Sequence, residues 1–197
     1  MPGGGPFADQ VRALQKHRRF DAAAAHHMAL LAMEQYGRML AGLQPGLRPA
    51  ATRAEITRAH RAGVAAVWMP TRMVLADPGI AASWDITSDS LAAWLAGRLT
   101  AAKLVLVKSV ALSDGSVRTT TLARRGIVDP AFPDYFTRSG SDGWCVADAG
   151  HAAMSAALKS GRGPGTRIVT AAAGPRRLPV VSGVLTSRSD RSRTRRQ

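Results

Sequence analysis

The chain has 197 residues and a hydrophobic content of 46%, enough for one domain with a sizeable core and too apolar for wholesale disorder. Its 27 basic and 13 acidic residues leave a formal net charge of +14, which points on its face to an anionic partner. Only four of those basic residues are lysines and 23 are arginines, and such usage, with abundant alanine, glycine and proline, is what a GC-rich genome produces without any binding function, so nucleic acid is not the expected partner.

The single cysteine, Cys145, excludes internal disulfides and multi-cysteine metal sites and reads as a buried structural thiol. No apolar run of about 18 residues occurs, and no basic-then-apolar leader opens the chain, so neither a membrane span nor a secretory signal is expected. A cytoplasmic protein is the default expectation.

Along the chain, Gly3, Gly4 and Gly5 run straight into the helical pattern of Val11 and Leu14. Glycines before a helix let backbone N–H groups approach an anion at the helix N-terminus, and they equally suit a flexible leader. From Asp21, a plausible N-cap, to Leu43 the apolar residues recur at helical spacing. Two histidines, His26 and His27, lie on that helix, where a pocket-facing imidazole and a satisfied structural one both fit.

After Pro45-Gly46 and Pro49, Thr52 to His60 suggests a short helix, and Val64 to Met69 a strand ended by Pro70. Met73 to Ala76 reads as a second extended piece. Trp84-Asp85-Ile86-Thr87-Ser88-Asp89 precedes a helix starting near Ser90 and marked by Leu91, Leu95 and Leu99, and Lys103 to Val110 reads as a buried parallel strand. A polar loop at Ser113 to Gly115, a short helix near Leu122, the Val128-Asp129-Pro130 turn and a helix over Ala131 to Phe136 follow. A strand at Trp144 to Ala147, a helix over Ala149 to Leu158, a glycine-rich loop at Gly161 to Gly165 and a strand at Arg167 to Ala171 complete the pattern. Strands spaced by helices imply an α/β fold with a mostly parallel sheet covered on both faces. The expected domain covers residues 1–171. Residues 172–197 form a tail, and from Thr186 its five arginines against one aspartate leave too little apolar surface to offset its ordering entropy.

Hydroxyls and free N–H groups at a helix start suit phosphate, and carboxylates at Asp85 and Asp89 beside them add what phosphoryl transfer needs to organise a cation or lysine. A helix capped by Ser88 or Asp89 fits the same residues.

The stretch Trp84 to Ala96, followed by Leu104-Val-Leu-Val-Lys-Ser-Val110, resembles the amino-acid kinase superfamily of aspartate, glutamate and uridylate kinases. Within it, the small archaeal and methylotroph branch that includes the aminomethylfuran phosphate kinase of methanofuran biosynthesis is the most similar. Pro2 to Arg12 looks like that branch's second glycine-rich loop, and Ala25 to Ala29 with Met33 and Tyr36 like the helix after it. The resemblance implies a three-layer αβα sandwich around a mainly parallel sheet, lacking its first strand, and a homo-oligomer. It also implies an ATP- and magnesium-dependent (Mg2+) phosphotransferase acting on a small phosphorylated or carboxylated metabolite, in methanofuran or tetrahydromethanopterin-linked one-carbon cofactor biosynthesis. The alternative is an impaired member serving as a nucleotide-binding or regulatory subunit.

Carried over by position, Gly3, Gly4 and Gly5 receive the acceptor or transferred phosphoryl group. Asp89, with Asp85, supplies the catalytic carboxylates, Thr87 and Ser88 lie near the acceptor, and Lys108, Ser109, Asp114 and Gly115 line the nucleotide side. No protein-held metal ligand is assigned. Each assignment has a plainer counterpart: a lysine ending a strand reaches solvent by snorkelling, and Asp-Gly is an ordinary turn. Trp84 and Trp94 are expected to flank the site. Family members open with a strand ending in lysine and a glycine turn. The expectation for this chain is therefore that Met1 stands at an internal valine whose GTG codon serves as the start.

Overall fold

A computed structural model describes residues 1–113 and 115–170. Asp114 and the expected tail at 172–197 lie outside the described residues.

The two long N-terminal helices form as their patterns require. Helix α1 (Gly5–Arg18) ends at Arg19 in the left-handed conformation, and α2 (Ala22–Leu43) starts at Asp21, whose carboxylate accepts the Ala24 N–H at 2.7 Å. Strand β1 (Leu47–Ala50) follows, then α3 (Arg53–Arg61) and β2 (Ala65–Trp68). A reciprocal cap fixes the start of α3: Thr52 Oγ1 accepts from Glu55 N at 3.2 Å, and the Glu55 carboxylate reaches back to Ala51 N at 2.7 Å. The extended piece expected at Met73 to Ala76 is instead the short helix α4 (Thr71–Leu75). The chain turns helical at Pro70, and Glu34 on α2 accepts the otherwise free Thr71 N–H at 3.0 Å.

Beyond α5 (Ser88–Arg98) come β3 (Lys103–Lys108), β4 (Ser116–Arg118), α6 (Thr119–Arg124), α7 (Phe132–Ser139), β5 (Asp142–Ala147), α8 (His151–Ser160) and β6 (Thr166–Val169). The architecture is α/β, but among the described residues the strands form two sheets where one was expected. Parallel β1 and β2 make a pair of their own, and the other four strands are ordered β3-β5-β6-β4. Pairing is parallel in β3–β5 and β4–β6 and antiparallel in β5–β6. The link from β5 to β6, a helix plus a five-residue glycine loop, is long enough to deliver β6 in either direction, so strand alternation alone did not specify it. Pro49 is compatible with β1 because, among the described residues, that strand pairs on one side only.

Strand β3 also departs from expectation. Its burial alternates, with Leu104 and Leu106 in the core and Val107 58% exposed, so one face is covered rather than two.

Two hydrophobic clusters hold the molecule together. One gathers Leu122, Phe132, Phe136, Cys145 and Ile168 under β3, and the other gathers Leu30, Met33, Ile56, Trp68 and Val74 between α2 and the β1–β2 pair. Helix α5 lies between them, sending Leu91 into the second cluster and Ala93 and Ala96 into the first. Ile86 and Trp94 pack against both, and the Trp94 ring stacks on Trp68 at 5.8 Å. Burial on two faces makes α5 a fixed post. Its N-terminus is where the candidate site forms.

Candidate functional site

Helix α5 begins with Thr87 as N-cap, but neither Ser88 nor Asp89 caps it as expected. Asp129, 42 residues further along the chain, supplies the cap. Its carboxylate accepts from Thr87 N and Thr87 Oγ1, both at 2.9 Å, from Ser90 N at 3.0 Å and from Ser90 Oγ. This buried carboxylate satisfies N–H groups that the helix start would otherwise leave open. The Thr87-Ser88 corner is thereby held rigid.

Within the first turn, Asp89 is 8% exposed and accepts Lys108 Nζ on both oxygens, at 2.7 and 2.6 Å. Burial pushes the Asp89 carboxyl above its ordinary value; the Lys108 ammonium opposes that push, and the nearby Asp129 charge adds to it. The pair ties the end of β3 to the first turn of α5. It also aims the lysine stem along the site wall.

A cavity of about 470 Å³ opens at this junction. Gly3, Gly4, Gly5, Thr87, Ser88, Lys108 and Ser109 all line it, so most of the expected binding residues, from three separate segments, meet in one space. Two of the glycines, Gly4 and Gly5, are required by close approach. A Cβ on Gly4 would lie 2.3 Å from Ala8 Cβ, while Gly5 has φ +49 and a Cβ added there would lie 2.7 Å from the Tyr36 ring. Gly3 approaches the Ser88 hydroxyl, which an added Cβ would meet at 3.5 Å.

Other expected residues fall elsewhere. Asp89 acts on the cavity only through Lys108, and Asp85 is exposed and absent from the cavity wall. Gly115, at φ +103 beside β4, is also away from it. Trp84 does line the cavity, but Trp94, expected to flank it, points to Asp77, donating Nε1 to Oδ2 at 3.1 Å. Cys145 is buried, and burial pushes its thiol up, as a structural thiol requires.

The structure adds residues that the sequence reading did not assign to the site. Arg12 lines the cavity with its guanidinium over the Trp84 ring at 4.5 Å, and Trp84 Nε1 donates to Gln15 Oε1 at 2.7 Å. His26 lines it from α2, whose cavity face otherwise carries Ala22, Ala29, Leu30 and Met33. The helical spacing of that face was legible in the sequence, but nothing local to Asp129 marked it as the cap of a helix 40 residues away.

The Gly3–Gly5 backbone at the start of α1, the Ser88 hydroxyl, Arg12 and Lys108 share one concave surface with the Asp9 carboxylate. These donors can meet an anion, whereas the N–H groups at the start of α5 are already taken by Asp129. Among the described residues, no three His, Cys, Asp or Glu side chains converge as a metal cage. Asp89 and Asp129 are already engaged by Lys108 and by the helix start. This donor set fits a phosphate better than a protein-held magnesium ion.

Over 110 residues, 56% of its length, the chain is 26% identical to [5-(aminomethyl)furan-3-yl]methyl phosphate kinase of Methanocaldococcus jannaschii. The match spans 50% of that protein, so the chain covers about half the length of the curated relative. No family model matches. The likeness supports a distant kinase relationship, consistent with the α/β architecture. No helix among the described residues is long and apolar enough to cross a membrane.

Proposed function

We propose that the chain is an ATP-dependent phosphotransferase whose acceptor is a small phosphorylated or carboxylated metabolite. The observation that carries this reading is the meeting of the Gly3–Gly5 loop, the Thr87-Ser88 helix start and Lys108 on one cavity. Phosphoryl transfer asks a protein mainly to position the reactants and stabilise charge. An acceptor oxygen attacks the γ-phosphorus, the bond to the β,γ-bridging oxygen breaks, and ADP leaves with the electron pair.

In this reading Gly3, Gly4 and Gly5 hold the acceptor or transferred group through backbone N–H groups, with Ser88 and Thr87 beside them. Lys108 and Ser109 face the nucleotide phosphates, and Asp89 positions Lys108. Magnesium arrives on the triphosphate, whose oxygens and waters supply its preferred ligands. The curated relative is named as a kinase of [5-(aminomethyl)furan-3-yl]methyl phosphate, which makes that compound the first acceptor to assay. A role in methanofuran-type cofactor synthesis belongs to the same proposal.

The test is acceptor-dependent release of ADP from magnesium-ATP by the full chain, compared with Lys108→Met. Loss of roughly 100-fold or more in kcat/KM is expected, the scale of removing one preorganised charge donor. Failure of the wild-type chain to bind magnesium-ATP, or equal turnover by the variant, overturns the reading.

A further inference from the structure

The cavity has a second polar end that the phosphate chemistry above does not use. Along α2, Gly5 packs against Tyr36, whereas His26 lies ten residues earlier, about 15 Å along the helix axis. Along α1, Arg12 lies seven residues from Gly5, about 10 Å. The two helices run antiparallel, since Gln15 Nε2 near the end of α1 donates to the Phe20 and Asp21 carbonyls just before α2. Arg12, Trp84 and His26 therefore form the end of the cavity remote from the glycine loop.

His26 is 9% exposed and lines the cavity. Trp84 has Gln15 as partner and Arg12 has the Trp84 face and, at 3.5 Å, the Asp9 carboxylate, but neither imidazole nitrogen of His26 makes a hydrogen bond to any described residue. Nor are they among the buried polar atoms left without a partner, which among the described residues are Trp68 Nε1 and Thr71 Oγ1, so the polar edge of the imidazole opens onto the cavity. Burial, reinforced by the His27 charge, holds this imidazole below the ordinary histidine range. It thus presents one lone pair and one N–H at neutral pH. Its neighbours on α2, Ala29, Leu30 and Met33, offer it nothing polar, and the Trp84 indole supplies a flat wall nearby.

Building on the kinase reading, we infer that His26 is a specificity-determining residue, accepting a hydrogen bond from an amine or hydroxyl on the acceptor, at the end opposite its reacting phosphate or carboxylate. The acceptor is then a two-ended molecule. Its anionic end meets the glycine loop, Ser88 and Lys108, its flat or apolar middle lies against Trp84, and its N–H or O–H end meets His26. A site built to pair such a group discriminates against a ligand lacking it, because that ligand displaces water from the imidazole and gives it no partner in return.

The experiment measures calorimetric binding of two probes to the full chain: [5-(aminomethyl)furan-3-yl]methyl phosphate and the same furan phosphate without its amine. The wild-type chain should bind the amine-bearing probe at least tenfold more tightly. His26→Leu, apolar and of similar size, should erase that preference without changing the affinity for magnesium-ATP, and His26→Gln, which keeps an acceptor oxygen, should restore part of it. Equal loss for both probes in His26→Leu, an unchanged preference, or no binding of either probe to the wild-type chain overturns the assignment. Magnesium-ATP binding and turnover are read separately, so failure of the kinase reading is distinguishable from failure of this one.

Discussion

At the scale of single residues, two carboxylates with unlike duties organise the site. Asp129 is a structural acceptor for two backbone N–H groups and two hydroxyls at the start of α5. Asp129→Ala leaves those donors without a partner in a buried setting, and each orphaned group costs roughly 1–3 kcal/mol unless water reaches it. Chemical denaturation should therefore show a loss of about 3 kcal/mol, with Thr87→Ala losing only about 1 kcal/mol because the backbone bonds survive. Asp89 makes a different prediction. Burial raises its carboxyl in the folded chain, so the folded state holds that proton more tightly than the unfolded state does. The stability this provides is complete below the ordinary aspartate value of about 3.9 and is lost as pH rises through the raised folded value. Stability measured from acid to neutral pH should show this falling component in the wild-type chain and not in Asp89→Asn. An identical pH slope in both would show that another group is responsible. The sequence made Asp89 visible, because a carboxylate beside Thr-Ser at a helix start carries a chemical pattern. Asp129 was hidden in an ordinary Val-Asp-Pro turn, and its duty exists only once α5 and the start of α7 are brought together.

Among the elements, those with local signals were legible and those defined by pairing were not. Asp21 before α2, Thr52 and Glu55 around α3, and the apolar run of β3 all state their structure within a few residues. Strands β1 and β4 are four and three residues long, too short for a period to emerge, and exist because β2 and β6 lie beside them. The same reasoning explains the candidate site. Each contributing segment was readable alone, while their convergence on one cavity depended on α5 being buried between two clusters. Strand β3 carries the element-scale prediction. Among the described residues it pairs only with β5, and Val107 stands 58% exposed beside its free edge. An exposed apolar residue on an open strand edge favours association between chains, which a charge suppresses. Val107→Lys should lower concentration-dependent light scattering on warming while changing unfolding free energy by less than about 0.5 kcal/mol, as for other surface substitutions. Unchanged scattering would mean that this edge is not the associating surface.

For the whole molecule, the question is whether the formal charge of +14 has a functional focus or is spread without purpose. Diffuse surface charge attracts any anion weakly and is screened over about 8 Å at physiological ionic strength. A lysine fixed by two contacts to Asp89, beside a glycine loop and a helix start, acts at contact distance and is far less screened. These two origins separate experimentally. Magnesium-free pyrophosphate, which offers the shared chemistry of a polyphosphate without a nucleoside, should raise the melting temperature by binding the folded chain. That shift should survive deletion of residues 186–197, which removes five arginines and one aspartate, and should persist when salt is raised from about 0.15 M to several times that value. Lys108→Met should abolish it, although it removes only one positive charge. If the deletion erases the shift and Lys108→Met leaves it intact, the basic composition acts through the arginine-rich end, and the cavity is not where phosphate binds.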